Sequence, residues 1–195
     1  MKQLLTAAQL ETGVDRLAAE LRERYVDRPL TVVGVLTGSV VLLADLIRRL
    51  DMPLRVGLIQ ARSYRGAATR PGELAVNGDW LPDVADRDVL LLDDIFDTGH
   101  TLERVIGEVR QLGARSVRTA VLLRKQGRAE VELAPDHVLF DIPDVFVVGY
   151  GLDFQDLYRN LPYVAALDDE EIAGAQAAVS ARCDSPTVDQ HEAPR

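Results

Sequence analysis

Residues 88–101, with the sequence DVLLLDDIFDTGHT, decide how this chain folds and where its chemistry lies. The apolar run from Asp88 to Leu92 predicts a buried strand, and residues 93–99 predict a loop. Thr101 to Leu112 then predicts a helix, which Gly113 ends. Because open α/β sheets bind ligands at the carboxyl ends of their strands, we expect the loop to form the functional site.

The two halves of this loop suit different parts of one ligand. Thr98 to Thr101 offers free backbone N–H groups and two hydroxyls at a helix N-terminus, an arrangement that binds phosphate. Asp93 and Asp94 place adjacent carboxylates at a strand end, where they suit hydroxyl groups or a hydrated Mg²⁺. Acids for ribose hydroxyls beside a phosphate site together predict a ribose-5-phosphate ligand. The chain contains no G-x-x-x-x-G-K-[ST] motif, so the site is not a P-loop.

The sequence on both sides of this segment predicts an α/β fold. Further strands are predicted over residues 30–36, 54–63, 116–123 and 145–148. Further helices are predicted from the Thr6-x-x-Gln9 capping box to about Tyr25, over residues 40–50, and from the acidic residues 168–171 onward. Residues 64–73 predict a loop, and Asn77-Gly78 predicts a hairpin turn. Strands that alternate with helices imply a parallel sheet covered on both faces.

Composition excludes several classes of protein. A length of 195 residues fits one domain, which we expect over residues 1–183, followed by a polar, disordered tail at 184–195. A net charge of −9 argues against nucleic-acid and membrane partners, because both need a basic face. The single Cys183 excludes an internal disulfide and a cysteine-based zinc site. The longest apolar run, residues 32–47, is too short to span a bilayer, so we expect a cytoplasmic protein.

Residues 89–102 (VLLLDDIFDTGHTL) resemble the phosphoribosyl-pyrophosphate (PRPP) signature of type I phosphoribosyltransferases. The resemblance covers roughly residues 30–166 and points to the hypoxanthine-guanine branch of that family. The other segments that carry it are LTGS at 36–39, Ser63-Tyr64, residues 122–125, IPDVFVVGYGLD at 142–153 and YRNL at 158–161. In the family these correspond to a pyrophosphate loop, the start of a flexible catalytic loop, a purine-binding segment in two parts, and a closing motif.

The resemblance implies an enzyme of purine salvage. It would transfer the 5-phosphoribosyl group from PRPP to hypoxanthine and/or guanine, giving IMP or GMP and pyrophosphate, with Mg²⁺ as cofactor. It also implies the type I phosphoribosyltransferase fold, in which a core parallel sheet flanked by helices carries a small hood made by the N-terminal and C-terminal segments. A homodimer or homotetramer is a further expectation from the family.

The resemblance also assigns roles to single residues. Asp97 would be the general base near purine N7. PRPP ribose and phosphate would be bound by Asp93, Asp94, Asp97, Thr98, Gly99, His100 and Thr101, and pyrophosphate by Thr37, Gly38, Ser39 and Arg159. The base would be bound by Lys125 at O6, by stacking on Phe146 and by the Val147 backbone. Mg²⁺ would be held by Asp93, Asp94 and Asp153, and Ser63 and Tyr64 would belong to the loop that closes.

Several positions depart from the family pattern or allow a plainer explanation. Thr37 and His100 stand where relatives often carry a cation, and Asp93 stands where Glu is usual. Arg128 lies one position earlier than expected. The plainer roles are a helix cap for Asp97, a solvated lysine for Lys125, strand core for Phe146, and surface charges for Asp153 and Arg159.

Two other functions stay open at this point. A PRPP-sensing regulator of the same fold would keep the site but bind nucleic acid, which the charge of −9 argues against. The second is a phosphoribosyltransferase for xanthine or another base; Lys125 with the VVGYGLD segment favours purines, but nothing in the sequence separates hypoxanthine, guanine and xanthine.

Overall fold

The chain forms a large and a small β-sheet with helices packed on the large one, in a computed structural model that describes residues 1–63, 74–168 and 170–174. In chain order the elements are β1 (Lys2–Leu5), α1 (Ala7–Arg24), β2 (Leu30–Leu36), α2 (Val40–Ile47), β3 (Leu54–Ser63), β4 (Leu74–Asn77), β5 (Asp88–Phe96), α3 (His100–Gln111), β6 (Ser116–Lys125), β7 (His137–Ile142), β8 (Val147–Val148) and β9 (Val164–Ala166). Tyr64, the predicted loop 64–73 and the predicted tail 184–195 lie outside the described residues.

The large sheet has the strand order β4-β3-β2-β5-β6-β7, and every neighbouring pair is parallel except β3 with β4. Helices α1 and α2 cover one face and α3 covers the other. Successive side chains of β5 therefore alternate between two apolar environments: Leu90 and Leu92 pack towards α1 and α2, and Val89 and Leu91 pack towards α3. This double burial explains the unbroken apolar run and confirms the predicted α/β fold.

The order of the strands fixes where a ligand can bind. From β2 the chain crosses to β3 on one side, and it later returns to place β5 on the other side of β2. The carboxyl ends of β2 and β5 thus flank the point at which the strand order reverses. A crevice opens at such a point in open α/β sheets.

The small sheet has the order β1-β9-β8 and is antiparallel throughout. Strand β9 lies in the centre, where Ala166 pairs with Lys2 on one side and with Val147 on the other. The sheet therefore joins the two terminal parts of the chain next to the predicted base-binding segment. The division into a core and a hood, and the domain limits of 1–183, remain predictions.

Two local predictions were wrong. Strand β5 does not end at Leu92 but continues to Phe96, because Asp93 and Ile95 pair with Val121 and Leu123 of β6. The hairpin is not centred on Asn77-Gly78. Strand β4 pairs antiparallel with β3, the strand that precedes it in the chain. The Asn77 side chain accepts a hydrogen bond of 2.8 Å from the Asp79 backbone N–H, and this turn ends β4.

Other elements differ only in extent. Helix α2 ends at Ile47 instead of continuing to residue 50, and the strand predicted at 145–148 is reduced to β8. Strands β1, β7 and β9 were not predicted. No helix in the described part of the chain is both long enough and apolar enough to cross a membrane.

Candidate active site

A cavity of about 290 Å³ opens at the carboxyl ends of β2 and β5, where the strand order reverses. Its lining includes ten of the residues predicted for the site: Thr37, Gly38, Asp93, Asp94, Asp97, Thr98, Gly99, Thr101, Asp153 and Arg159. Four separate segments of the chain are therefore brought together as expected. Ser39 and His100 lie beside these segments but do not line the cavity.

The turn from Thr98 to Thr101 leads directly into α3. Gly99 is the N-cap residue of this helix and has a φ of +92°, and no described side chain caps the helix. A side chain at Gly99 would collide with Val131, since its Cβ would lie 2.4 Å from that residue's Cγ2. The first N–H groups of α3 thus lie next to the cavity without a competing side-chain acceptor, which is the arrangement that binds phosphate. The alternative role of Asp97 as a helix cap is wrong.

Asp93 and Asp94 lie near the carboxyl end of strand β5 and line the cavity, and Asp93 is only 6% exposed. The Asp94 backbone N–H donates a 3.0 Å hydrogen bond to Asp93 Oδ1. Burial raises the pKa of both carboxyls, and the neighbouring Asp94 charge raises that of Asp93 further. The charge of Arg159 partly opposes this for Asp94. Two crowded carboxyls with raised pKa values gain most from hydroxyl donors or a cation, either of which stabilises their ionised form.

The loop after β2 packs directly on this acidic pair. The peptide bond between Leu36 and Thr37 is cis. Gly38 lies so close to Asp94 that a Cβ at this position would be 1.5 Å from Asp94 Oδ2. The buried Ser39 hydroxyl donates to the Val35 carbonyl at 2.6 Å, so Ser39 can offer an anion only its backbone N–H. The loop therefore lines the cavity with Thr37 and Gly38 and brings no cation there, where relatives often carry one.

The segment after β8 packs against the loop that follows β2. Gly151 has a φ of +100°, and a Cβ there would lie 2.0 Å from the carbonyl oxygen of Gly38. Arg159 Nη1 donates to the Gly151 carbonyl at 2.8 Å, and the Gly151 N–H donates back to the Arg159 carbonyl at 3.0 Å. Arg159 Nη2 also lies 2.7 Å from Asp153 Oδ1. Both predicted charges thus line the cavity as an ion pair, each with 28% of its side chain exposed.

A partly buried hydrogen bond joins the same segment to helix α2. The Tyr150 hydroxyl donates to Asp45 Oδ2 at 2.7 Å. Burial raises the pKa of Tyr150, so its hydroxyl keeps the proton that this bond requires. Sequence reasoning missed this contact, because nothing local to either residue indicates it.

Asp97 directly follows β5 and contacts two cations, one at the end of β6 and one in the segment after it. Arg128 Nε lies 2.9 Å from Asp97 Oδ1, and Lys125 Nζ lies 3.6 Å from Asp97 Oδ2. Lys125 is 13% exposed, so its alternative role as a solvated lysine is wrong. Arg128 reaches Asp97 despite its displaced position in the sequence. A fourth charge, Asp144, joins this group and was not predicted.

The residues expected to contact the base lie in and beside β8. Val147 is buried and pairs with Ala166 of β9. Phe146 is 41% exposed and meets Phe154 edge-to-face, with ring centroids 5.4 Å apart. An exposed ring held at its edge is available for stacking on a flat ligand. Phe146 is therefore not strand core.

Of the remaining predicted residues, His100 has a partner outside the cavity. His100 Nε2 lies 3.1 Å from Glu130 Oε2, and the Glu130 N–H donates to the Thr98 carbonyl at 3.0 Å. Ser63 ends β3, with Tyr64 beyond the described residues. Among residues 1–63, 74–168 and 170–174, no three carboxylate, imidazole or thiol groups converge as a ready-made metal site. Asp93 and Asp94 could hold Mg²⁺ only together with oxygen atoms of a ligand or of water.

Two crowded acids next to a helix N-terminus without a side-chain cap, at the point where the strand order reverses, form the kind of site that a phosphoribosyltransferase has. The family model of the phosphoribosyl transferase domain matches residues 1–155. The hypoxanthine-guanine phosphoribosyltransferase of Staphylococcus epidermidis is 38% identical over 167 residues, which are 86% of this chain and 93% of that protein.

Solved structures agree with this match. The crystal structure of a hypoxanthine phosphoribosyltransferase from Staphylococcus aureus superimposes with a TM-score of 0.81 at 36% identity, covering 87% of this chain and 92% of that one. A hypoxanthine-guanine phosphoribosyltransferase from Bacillus anthracis gives 0.79 at 32% identity, covering 86% and 98%. The chain belongs to the phosphoribosyltransferase family, and within it to the hypoxanthine-guanine branch, which makes it a transferase of purine salvage.

Proposed function

We propose that this protein transfers the 5-phosphoribosyl group of PRPP to N9 of hypoxanthine and/or guanine, with Mg²⁺ bound alongside PRPP. The observation that carries the proposal is the position of Asp97. It stands between the phosphate-binding turn, which it precedes by one residue, and Lys125, whose ammonium lies 3.6 Å from its carboxylate. A proton acceptor placed between a sugar-phosphate site and a base-edge donor suits transfer of a ribosyl group to a purine.

The cavity supplies one set of groups for each part of PRPP. The N–H groups at the start of α3, with the hydroxyls of Thr98 and Thr101, bind the 5-phosphate. Asp93 and Asp94 accept hydrogen bonds from the two ribose hydroxyls. The pyrophosphate is bound by the backbone of residues 37–39 and by Arg159, whose guanidinium is held in place by Gly151.

The purine lies over Phe146, with its O6 at the Lys125 ammonium. The Val147 backbone meets the edge of the base, as the family resemblance implies. In the reaction the bond between C1′ and the pyrophosphate oxygen breaks while the N9–C1′ bond forms. The proton lost from N7 passes to the Asp97 carboxylate, and the bonding electrons leave with pyrophosphate.

The carboxylates of Asp93 and Asp94 favour the positive charge that develops on the ribosyl carbon. When Mg²⁺ is bound, it neutralises charge on the pyrophosphate leaving group. Asp153, which its ion pair with Arg159 keeps at the cavity, would help to hold that cation through a water molecule. The family resemblance implies that Ser63 and Tyr64, the second of which lies outside the described residues, belong to a loop that closes to exclude water.

We further propose a cytoplasmic homo-oligomer, a dimer or a tetramer. One cysteine in 195 residues suits a reducing compartment. The oligomeric state follows from the family resemblance, and size-exclusion chromatography with light scattering measures it directly.

A PRPP-dependent assay with hypoxanthine, guanine, xanthine and adenine tests the proposed function. We expect turnover of one or both of the first two bases. Asp97→Asn should lower kcat by roughly 10²–10⁴-fold while the Kd for PRPP is retained. Asp141→Asn is the matched control, because Asp141 is a half-exposed acid that pairs with Arg124 at 2.7 Å. Preferred use of xanthine or adenine, or a full kcat in Asp97→Asn, would contradict the proposal.

A further inference from the structure

Four charged side chains form a closed ring at the base end of the site: Asp97, Lys125, Arg128 and Asp144. Lys125 Nζ lies 3.2 Å from Asp144 Oδ1 and 3.6 Å from Asp97 Oδ2. Arg128 Nε lies 2.9 Å from Asp97 Oδ1 and 3.6 Å from Asp144 Oδ2. Each cation therefore bridges both carboxylates. With two charges of each sign, the ring is neutral.

The backbone holds the members of the ring at neighbouring strand ends. Asp97 follows β5, Lys125 is the last residue of β6, and Asp144 comes two residues after β7. The Gln126 N–H donates to the Ile142 carbonyl at 3.0 Å, and the Val145 N–H donates to the Pro143 carbonyl at 2.9 Å. Asp144 thus lies in a tight turn two residues before Phe146. Its side chain is 50% exposed, whereas that of Lys125 is 13% exposed.

We propose that Asp144 is a positioning residue, which acts by holding the Lys125 ammonium at the O6 edge of the base and away from Asp97. The proposal rests on the roles of Lys125 and Asp97 given above. The nearer carboxylate of Lys125 is Asp144, not the general base. Without the Asp144 charge, the attraction of Lys125 is directed to Asp97 alone, and the ammonium closes on it.

That movement would harm two steps together. An ammonium bound to Asp97 occupies the oxygen that must take the N7 proton, and it is withdrawn from O6. The base would bind less tightly and would react more slowly, whereas the phosphate turn and Arg159 would be untouched. A residue that only stabilises the fold would not separate the kinetics of the base from the binding of PRPP in this way.

Arg128 remains in the ring as a second cation when Asp144 is lost. The hydrogen bond to Asp97, and then the charges of Asp97 and Asp144, raise the pKa of Arg128, which stays charged throughout the working range. Glu130 lies near Arg128 in the segment between β6 and β7, but it is paired with His100 at 3.1 Å. Loss of Asp144 therefore leaves two cations against one carboxylate, and this carboxylate is Asp97.

The test compares Asp144→Asn with Asp141→Asn, which removes an acid from the adjacent strand β7. For Asp144→Asn we expect kcat/KM for hypoxanthine to fall about tenfold or more, with a raised KM and a lowered kcat. The Kd for PRPP, measured by calorimetry, and the Tm should match those of Asp141→Asn. Asp144→Glu, which keeps the charge, should recover most of the activity. Equal losses in Asp144→Asn and Asp144→Glu, or no loss in Asp144→Asn, would overturn the proposal.

A double-mutant cycle tests whether Asp144 acts through Lys125. In a Lys125→Met background, Asp144→Asn should leave the KM for hypoxanthine unchanged, because there is no ammonium left to hold. A further rise in KM equal to that seen in the parent would show that Asp144 acts independently, and would overturn the proposal. Failure of the proposed function looks different: the parent would then turn over no 6-oxopurine, or Asp97→Asn and Lys125→Met would each be as active as the parent.

Discussion

Replacing Gly151 by Ala should damage PRPP binding from outside the cavity. Gly151 contacts no PRPP group in the proposed function, but its α-carbon packs against the carbonyl of Gly38 in the pyrophosphate loop. A Cβ at Gly151 would lie 2.0 Å from that oxygen and 3.1 Å from its carbon. Neither neighbour is a flexible side-chain end, so one of the two backbone segments must move.

The size of the movement follows from the geometry. Carbon and carbonyl oxygen approach each other to about 3.3 Å in proteins, so the segments must separate by roughly 1 Å. A misplacement of about 1 Å at a reacting group costs on the order of 10²-fold in rate, which is the loss of kcat/KM for PRPP that we expect. The φ of +100° adds strain for alanine, which should lower the free energy of unfolding by about 1–3 kcal/mol.

Two other glycines separate these causes. Gly113 also has a positive φ, of +84°, but a Cβ there would meet Ala85 Cβ at an ordinary 3.7 Å. Gly113→Ala should therefore lose stability and keep its kcat/KM. Gly107 lies within α3 with nothing within 4 Å of its Cβ position; Gly107→Ala should gain about 0.5–1 kcal/mol and keep its activity.

The assay is initial-rate kinetics with varied PRPP, combined with thermal unfolding of all four proteins. If Gly151→Ala keeps the kcat/KM for PRPP of Gly113→Ala, the contact between the two backbone segments does not position the pyrophosphate loop, and the reasoning is refuted.

Three further predictions concern the cation, the base and stability. PRPP should bind far more weakly without Mg²⁺, because Asp93 and Asp94 are negatively charged like pyrophosphate and a cation is needed to offset both. Equal affinity with and without Mg²⁺ by calorimetry would contradict this. The parent should prefer hypoxanthine over adenine by roughly 10- to 150-fold in kcat/KM, and Lys125→Met should lose most of that ratio; an unchanged ratio would argue against contact with O6. The hydrogen bond from Arg115 lowers the pKa of the buried Asp88, so its stabilising contribution is present at neutral pH and is lost as the pH falls through its folded-state pKa. Asp88→Asn should lower the unfolding free energy by about 1–3 kcal/mol at neutral pH, and by less in acid; a pH-independent difference in chemical denaturation would contradict it.

The central strands could be predicted from sequence because they are buried on both faces. Strands β2, β5 and β6 are read as apolar runs that need no partner to be recognised. The short strands β1 and β9 could not be predicted, since four and three residues carry too little periodicity and their pairing depends on distant parts of the chain. The extension of β5 through Asp93 was missed for a related reason. Charge in a sequence indicates a loop, whereas here the ladder to β6 continues past it.

The phosphate turn and the acidic pair were predictable because their residues are consecutive. Asp144 was not, because its role depends on three strand ends being neighbours. The contact between Gly38 and Gly151 was also missed, although the Gly-Tyr-Gly sequence at 149–151 is a local signal of unusual backbone. Gly149, Tyr150 and Gly151 all have positive φ. The partners of such a turn lie far away in sequence, so sequence indicates the turn and leaves open what it packs against.

The position of β9 at the centre of the small sheet has a consequence for synthesis of the chain. At about 5–20 residues per second, β1 leaves the ribosome on the order of 10–30 s before the strand that must pair with it. All six strands of the large sheet, and the phosphate turn with them, precede β8 and β9 in the chain. A nascent chain can therefore form the acidic pair and the turn at 98–101 before β8 and the Asp153–Arg159 ion pair have been synthesised. A chain that stops before Val164 exposes both edges of β1, which is the kind of strand that recruits other chains and aggregates.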